Sequence, residues 1–312
     1  MRDPACQLEF PGCNSPHLHC QVGFMQDTIT INKQREYPKL LQKIGKDVPK
    51  HLYYKGCWNE EIFKNCLAVV GSRRNTSNGK RAVEQLVSEI ARTGITIVSG
   101  FMYGIDALAH TAALYAGGKT IAVMPCGIER IHPAYQKKLY EEILQSGGLI
   151  VSEYEGNTAP GYWMYPQRNR IVAGLCKATL VIEAGEKSGS LITASYATKF
   201  GRKLFAVPGP IISEVSKGTN QLLKEQATLV TSARDIVTFF GLLSKQSAVH
   251  SMYRNHGKTE QFIVEYLKGE PMDIDTLSRA LHISVATLGT ILSMMELSGS
   301  IVLEGGKYHI KL

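Results

Sequence analysis

The 312-residue sequence predicts an α/β protein: a Rossmann-like, doubly wound, mostly parallel sheet with a small C-terminal winged-helix domain. Three observations predict it. Between residues 65 and 209, short runs that are apolar throughout alternate with amphipathic, helix-periodic segments, the pattern of parallel strands covered on both faces. Those runs end in the loops GSRRNT, SGFMYG, PCGIER, SEYEGN, AGEKSGS and PGP, all of them glycine-containing, and in doubly wound sheets ligands sit at such strand ends. Beyond residue 257, three helix-periodic segments precede a hairpin with Gly-Gly at its turn.

In chain order, residues 1–28 show no periodicity and are rich in Pro, Cys and His, which predicts an irregular leader. EYPKLLQKIGKDVPKHLYYKG predicts a short helical lead-in bounded by prolines, then a turn. The alternation follows: strand 65–72, helix 79–94 stopped by glycine, strand 95–100, helix 104–118, strand 119–127, helix 135–148 and strand 149–154. After a loop, NRIVAGLCK predicts a helix, ATLVIEAG a strand, SLITASYATKFG a helix and RKLFAVPG a strand. The predicted organisation is leader 1–28, Rossmann-like domain 29–240 with its lead-in to about 64, linker 241–257 and winged helix 258–312.

The composition, 44% apolar and 20% charged, is that of a globular chain. No apolar run reaches the length of a membrane span, and no basic segment precedes an apolar core at the start, so a cytoplasmic location without membrane contact is expected. The net charge of +8 is uneven. Residues 1–257 carry 30 basic and 20 acidic side chains, residues 258–312 five and seven, so a polyanion-binding surface belongs to the front part. Cys57, Cys66, Cys126 and Cys176 stand singly among apolar neighbours and read as small core residues. Cys6, Cys13, His17, His19 and Cys20 cluster, but without paired CxxC steps; neither a metal site nor a cofactor is expected.

Four motifs carry chemistry. In VGSRRNTSNGK a strand ends at Gly71 and Ser72 before a helix, which predicts free amides, a helix N-terminus, a hydroxyl and the forks of Arg73 and Arg74 at one spot suited to phosphate. It is not a Walker A loop. SGFMYGIDALAH supplies Gly100 and Gly104, where a ligand or backbone approaches closely, and Asp106 and His110 share a helix face, as an acid–base pair or a structural hydrogen bond. In YPQRNRIVAGL, Arg168 and Arg170 flank Asn169 at the predicted start of a helix, where the dipole disfavours cations. An external anion, or a distant carboxylate such as Glu153 or Glu183, must compensate them. GEKSGSLITA puts Lys187, Ser188, Gly189 and Ser190 at a strand-to-helix junction. Several anion-binding strand ends on one rim suit an extended polyphosphate chain. Phe101, Tyr103, Tyr154, Tyr162, Trp163 and Tyr165 interleave with them as candidates for stacking on unpaired bases.

The stretches VGSRRNTSNG, SGFMYGIDALAHTAAL, TIAVMPCGIERIHP, GLIVSEYEGNTAPGYWMYPQRNRIVAGL and VIEAGEKSGSLITASYA, over roughly residues 29–240, closely resemble the DNA processing protein A (DprA, or Smf) family. The resemblance implies a non-enzymatic protein that binds single-stranded DNA, forms a homodimer and helps load the RecA recombinase during natural transformation. It implies DNA contacts by Arg73 and Lys187, with Arg168, Asn169 and Arg170 lining the same pocket. Glu129 and His132 depart from the family pattern, which usually reads LG.G.D..YP where this chain has MPCGIERIHP. The expected recognition helix, SVATLGTILSMMEL, holds no Lys or Arg, so protein contact suits it better than duplex reading. The alternative is a nucleotide-binding enzyme or sensor like the nucleoside-monophosphate phosphoribohydrolases. Their PGGxGTxxE loop carries the chemistry on a glutamate, and here Thr193 stands in its place.

Overall fold

A computed structural model of the protein describes residues 29–31, 36–242 and 258–310. The Cys/His-rich leader and most of the expected linker lie outside the described residues. The chain divides into two compact units, the first ending at Leu242.

The first unit is built on nine strands: β1 (Ile29–Ile31), β2 (Leu52–Gly56), β3 (Cys66–Val70), β4 (Thr96–Ser99), β5 (Thr120–Gly127), β6 (Leu149–Tyr154), β7 (Ala178–Val181), β8 (Lys203–Ala206) and β9 (Thr228–Leu229). Their order is β1-β2-β6-β5-β4-β3-β7-β8-β9. The pairs from β6 to β9 are parallel, while β1 and β2 add an antiparallel edge. The fold is thus Rossmann-like, doubly wound and mostly parallel. β3, β4, β5 and β6 build outward in one direction; the chain then returns to place β7 on the other side of β3. The order reverses there, which opens a crevice at the carboxyl ends of β3 and β7.

The connecting helices are α1 (Lys39–Gln42), α2 (Ser77–Arg92), α3 (Ile105–Tyr115), α4 (Lys137–Gln145), α5 (Met164–Gly174), α6 (Gly189–Lys199), α7 (Lys217–Glu225) and α8 (Ala233–Phe239). All five residues of β3 and all eight of β5 are buried because helices cover both faces. On one face Val70, Val98, Val123 and Val181 pack with Ile171 and Val172 of α5 and Ala194 and Ala197 of α6. On the other, Met124 and Ile150 pack with Tyr140 and Ile143 of α4.

Three local expectations need correction. LYYKG is not a turn but β2, paired with β6; Leu52, Tyr53 and Tyr54 are buried in succession, so the period-2 signal of a strand is lost. The helix expected from Asn169 begins at Met164. Its first turn tolerates Pro166, where the amide lacks an intrahelical partner anyway, and its buried face is not purely apolar because it includes Arg168 and Arg170. The helix expected from residue 135 opens with a 3-10 turn, Ala134–Gln136, before α4. Cys66, Cys126 and Cys176 are buried as expected; Cys57 is half-buried.

The second unit contains α9 (Lys258–Gly269), α10 (Ile274–Leu281), α11 (Val285–Leu297) and the hairpin β10 (Ile301–Glu304) and β11 (Lys307–Ile310). Ile263, Leu267, Leu277, Leu288, Leu292 and Ile301 form its core. Asp273 caps α10 and Ser284 caps α11 through the amides of Thr276 and Thr287, which sets the tight turn between the two helices. Val285, Met294 and Leu297 of α11 are exposed. Among the described residues no single helix is long and apolar enough to cross a membrane.

Candidate nucleic-acid interface

At the β3/β7 crevice lies a groove of about 820 Å³. Gly71, Ser72, Arg73 and Arg74 line it from the loop after β3, Gly100 from the end of β4, Arg168 and Asn169 from α5, and Lys187, Ser188, Gly189 and Ser190 from the loop after β7. Of the glycines, hydroxyls and cations expected at the anion-binding strand ends, Gly104 and Arg170 stand apart from this lining.

The β3 loop is fixed from below. Ser72 donates its amide to the Glu183 carbonyl (2.7 Å), and its own carbonyl accepts the Ile105 amide (3.2 Å). The Ser72 hydroxyl accepts the Arg74 amide (3.0 Å). Gly104, at φ +83°, lies against this loop: a Cβ there would stand 2.5 Å from the Ser72 carbonyl oxygen and 2.7 Å from the α-carbon of Arg73. Gly104 therefore supports the loop from outside the groove lining. The helix N-terminus expected here as a phosphate site is already filled. The Glu183 carboxylate accepts the Thr76 amide (2.9 Å) and the Thr76 hydroxyl at the start of α2. An internal anion thus satisfies this dipole, and the loop offers a ligand the exposed side chains of Arg73 and Arg74. Glu183→Ala removes that anion and leaves the amide and hydroxyl of Thr76 without their acceptor. It is expected to cost about 1–2 kcal/mol of stability, readable as a lower denaturant midpoint at unchanged m value.

The β7 loop presents the N-terminus of α6. Ser188 is its cap, with its hydroxyl 2.8 Å from that of Ser190 and accepting the Ser190 amide. The Asn169 side chain donates to the Gly189 carbonyl (3.2 Å) and ties α5 to this turn. A side chain at Gly189 would point into open space. Among the described residues no carboxylate bonds to this terminus, and Lys187 is exposed with no ion pair. Glu186 and Glu214 line the groove too, and Glu214 is bridged to Lys217 at 2.8 Å.

Arg168 and Arg170 lie in the middle of α5, not at its start, so the dipole argument does not apply to them. Arg168 is only 3% exposed. Its guanidinium donates to the carbonyls of Gly100 and Val123 and, through Nε, to Asn169 Oδ1 (3.3 Å). Asp106 is its counter-charge. Burial raises the Asp106 carboxyl above its ordinary range, and the Arg168 charge, with bonds from the Met102 amide and Ser99, works against that rise. Burial pulls the Arg168 guanidinium down to about 10, partly offset by Asp106. Arg170 is paired with Glu153 in a largely buried ion pair and faces away from the groove lining. Of the two arginines, one forms the floor and the other is internal.

The acid–base pair is also corrected. His110 is fully buried, with Nδ1 2.7 Å from the Thr120 hydroxyl, and burial pushes its pKa down to about 3, so the ring is neutral. Asp106 bonds elsewhere, and no reacting group could reach His110. Among the aromatics, Phe101 takes φ +58° and packs its ring in the core beside Tyr140. Tyr154 buries its hydroxyl, and its ring meets that of Trp163 edge to face. Tyr103 (44%), Tyr162 (96%) and Trp163 (59%) are exposed. Arg73 lies over the rings of Tyr103 (5.7 Å) and Tyr165 (5.1 Å). Among the described residues no His, Cys, Asp and Glu cluster could hold a metal ion.

A family model described as DNA recombination-mediator protein A matches residues 28–241, and one described as DprA winged helix domain matches residues 254–307. DNA processing protein DprA of Streptococcus pneumoniae is 38% identical over 244 residues, 74% of this chain and 85% of that protein. Protein Smf of Escherichia coli is 44% identical over 171 residues, 55% of this chain and 46% of that protein. The crystal structure of the Streptococcus pneumoniae protein superposes with a TM-score of 0.63 at 40% identity, covering 68% of this chain and 74% of that one. A structure of DNA processing protein A from Helicobacter pylori, described by its single-stranded DNA binding mode, gives 0.61 at 33% identity and covers 68% and 95%.

Proposed function

We propose that this chain, which belongs to the DNA recombination-mediator protein A family, binds single-stranded DNA along the β3/β7 groove. The observation that carries the reading is the meeting of exposed Arg73, Arg74 and Lys187, none of which has an ion pair among the described residues, with the N-terminus of α6 in one groove whose floor is the Arg168 guanidinium. Cations and amide donors facing a shared channel suit a string of phosphates. Exposed Tyr103 and Tyr162 stand at the same groove to stack on bases, with Trp163 beside them. The single-stranded DNA binding of the Helicobacter pylori relative supports the reading. As in the family, the protein acts in the cytoplasm as a homodimer, and its DNA is handed to the RecA recombinase. The winged helix, whose α11 exposes Val285, Met294 and Leu297 and carries no Lys or Arg, meets a protein and not a duplex.

Thr193, buried at the groove, stands where a phosphoribohydrolase carries its glutamate, which speaks against glycosidic hydrolysis by that route. The test is a salt titration of affinity for an oligonucleotide, single-stranded against duplex. Single strands are expected to bind more tightly, with a log–log slope near −2 for three phosphate-contacting cations, since each contributes about −0.7. Equal affinity for both forms would sink the reading. Incubation with nucleoside monophosphates is expected to release no base.

A further inference from the structure

We infer that His132 is a positioning residue for nucleic-acid binding: through the Tyr165 hydroxyl it holds an aromatic wall against Arg73, so that the guanidinium meets phosphate already oriented. The inference rests on the groove reading above, in which Arg73 is a phosphate contact.

His132 lies in the loop after β5, beyond the groove, and belongs to the segment where the sequence departs from its family pattern. Its Nε2 is 2.8 Å from the Tyr165 hydroxyl, and the two rings meet edge to face with centroids 6.1 Å apart. Tyr165 is in the first turn of α5 and lines the groove. Its ring lies 5.1 Å from the Arg73 guanidinium, which also lies 5.7 Å from the Tyr103 ring. Three loops therefore converge on one cation: the β3 loop carries it, the β4 loop brings Tyr103, and α5 brings Tyr165 anchored from the β5 loop.

Arg73 has no ion pair among the described residues and is exposed. A free arginine loses rotamer entropy when it grips phosphate, whereas one held against two ring faces has lost part of it beforehand, so less is lost on binding. Tyr165 can serve only while its own ring is fixed, and among the described residues its hydroxyl has one partner, His132. Burial, Arg130 and Arg73 all push the imidazole's pKa down; a neutral ring bonds the hydroxyl without repelling the nearby guanidinium.

A double-mutant cycle on the full chain separates this role from a merely structural one. Affinity for fluorescent oligo(dT) is measured for wild type, His132→Ala, Arg73→Ala and the double variant. His132→Ala is expected to weaken binding about two- to fivefold, the value of one exposed cation–π contact, and to have no further effect once Arg73 is absent. His132→Gln, which keeps a partner for the hydroxyl, restores most of the loss; Tyr165→Phe reproduces it and serves as the reporter should His132→Ala fold poorly. An equal loss in both Arg73 backgrounds, or no loss at all, overturns the inference. If Arg73→Ala alone binds as wild type, the groove reading itself has failed, which is visible before any His132 variant is compared.

Discussion

Replacing Lys187 or Arg73 with alanine is expected to weaken single-stranded DNA binding about tenfold, by the same factor on every sequence, and to flatten the log–log salt dependence by about 0.7. Both side chains are exposed in the groove, and no acid of the described residues holds either one. Their charge is therefore neutralised by whatever enters. A phosphate contact carries no base information, so the loss is uniform over sequences. Arg170→Ala provides the contrast. Its guanidinium is committed to Glu153 and is absent from the groove lining. Its loss should lower stability and leave the salt slope unchanged. Fluorescence anisotropy over a range of salt concentrations reads all three variants. If Lys187→Ala and Arg73→Ala bound as tightly as wild type at moderate salt, the assignment of these loops would be lost.

These contrasts show what the sequence could and could not reveal. The parallel core was legible because strands such as Cys66–Val70 and Thr120–Gly127 are uniformly apolar, and only a sheet covered on both faces demands that. The glycine-rich strand ends were legible for a related reason: Gly71 and Gly104 sit where a Cβ would meet Ile105 or the Ser72 carbonyl. The partners of charges were legible only in part. Glu153, one of the two acids expected to compensate the arginines, does pair with Arg170, but nothing local marks Glu183, 107 positions from Thr76, as the acid that fills a helix N-terminus. Arg168 and Arg170 looked alike in RNR. Register on α5 sends one to the Gly100 and Val123 carbonyls and the other to Glu153. The start of α5 was obscured by the same residues, since a helix that buries arginines does not show a clean apolar stripe. His132 and Tyr165, 33 positions apart, gave no sign of contact beyond the departure from the family pattern.

The largest effect on stability is expected from Arg168→Ala. The wild-type guanidinium is enclosed, bonds the Gly100 and Val123 carbonyls and faces the Asp106 carboxylate. Gly100 leaves room for this arrangement: a Cβ there would lie 2.5 Å from Arg168 Nη2 and 2.6 Å from Asp106 Oδ2. Truncating Arg168 strands the carboxylate and two carbonyls together, a loss of about 3–5 kcal/mol. For a unit of this size that corresponds to a fall in Tm of roughly 6–20 °C. Arg168→Lys should recover only part of this, because an ammonium can take the place of Nη1 at the two carbonyls but cannot also make the bond from Nε to Asn169 Oδ1. The pH dependence tests the cause. The Asp106 pKa is already raised by burial, and Arg168 is the foremost charge restraining the rise. Without Arg168 it climbs further, so the folded variant binds that proton more tightly than the unfolded chain does. A raised folded-state pKa contributes stability that is present in acid and disappears as pH rises through it. The deficit of Arg168→Ala relative to wild type should therefore shrink on going from about pH 8 to about pH 5, and Asp106→Asn in the same chain should abolish that dependence. A deficit constant across this range would mean that the cost arises from the carbonyls and the lost packing, and that Asp106 is not the partner of Arg168.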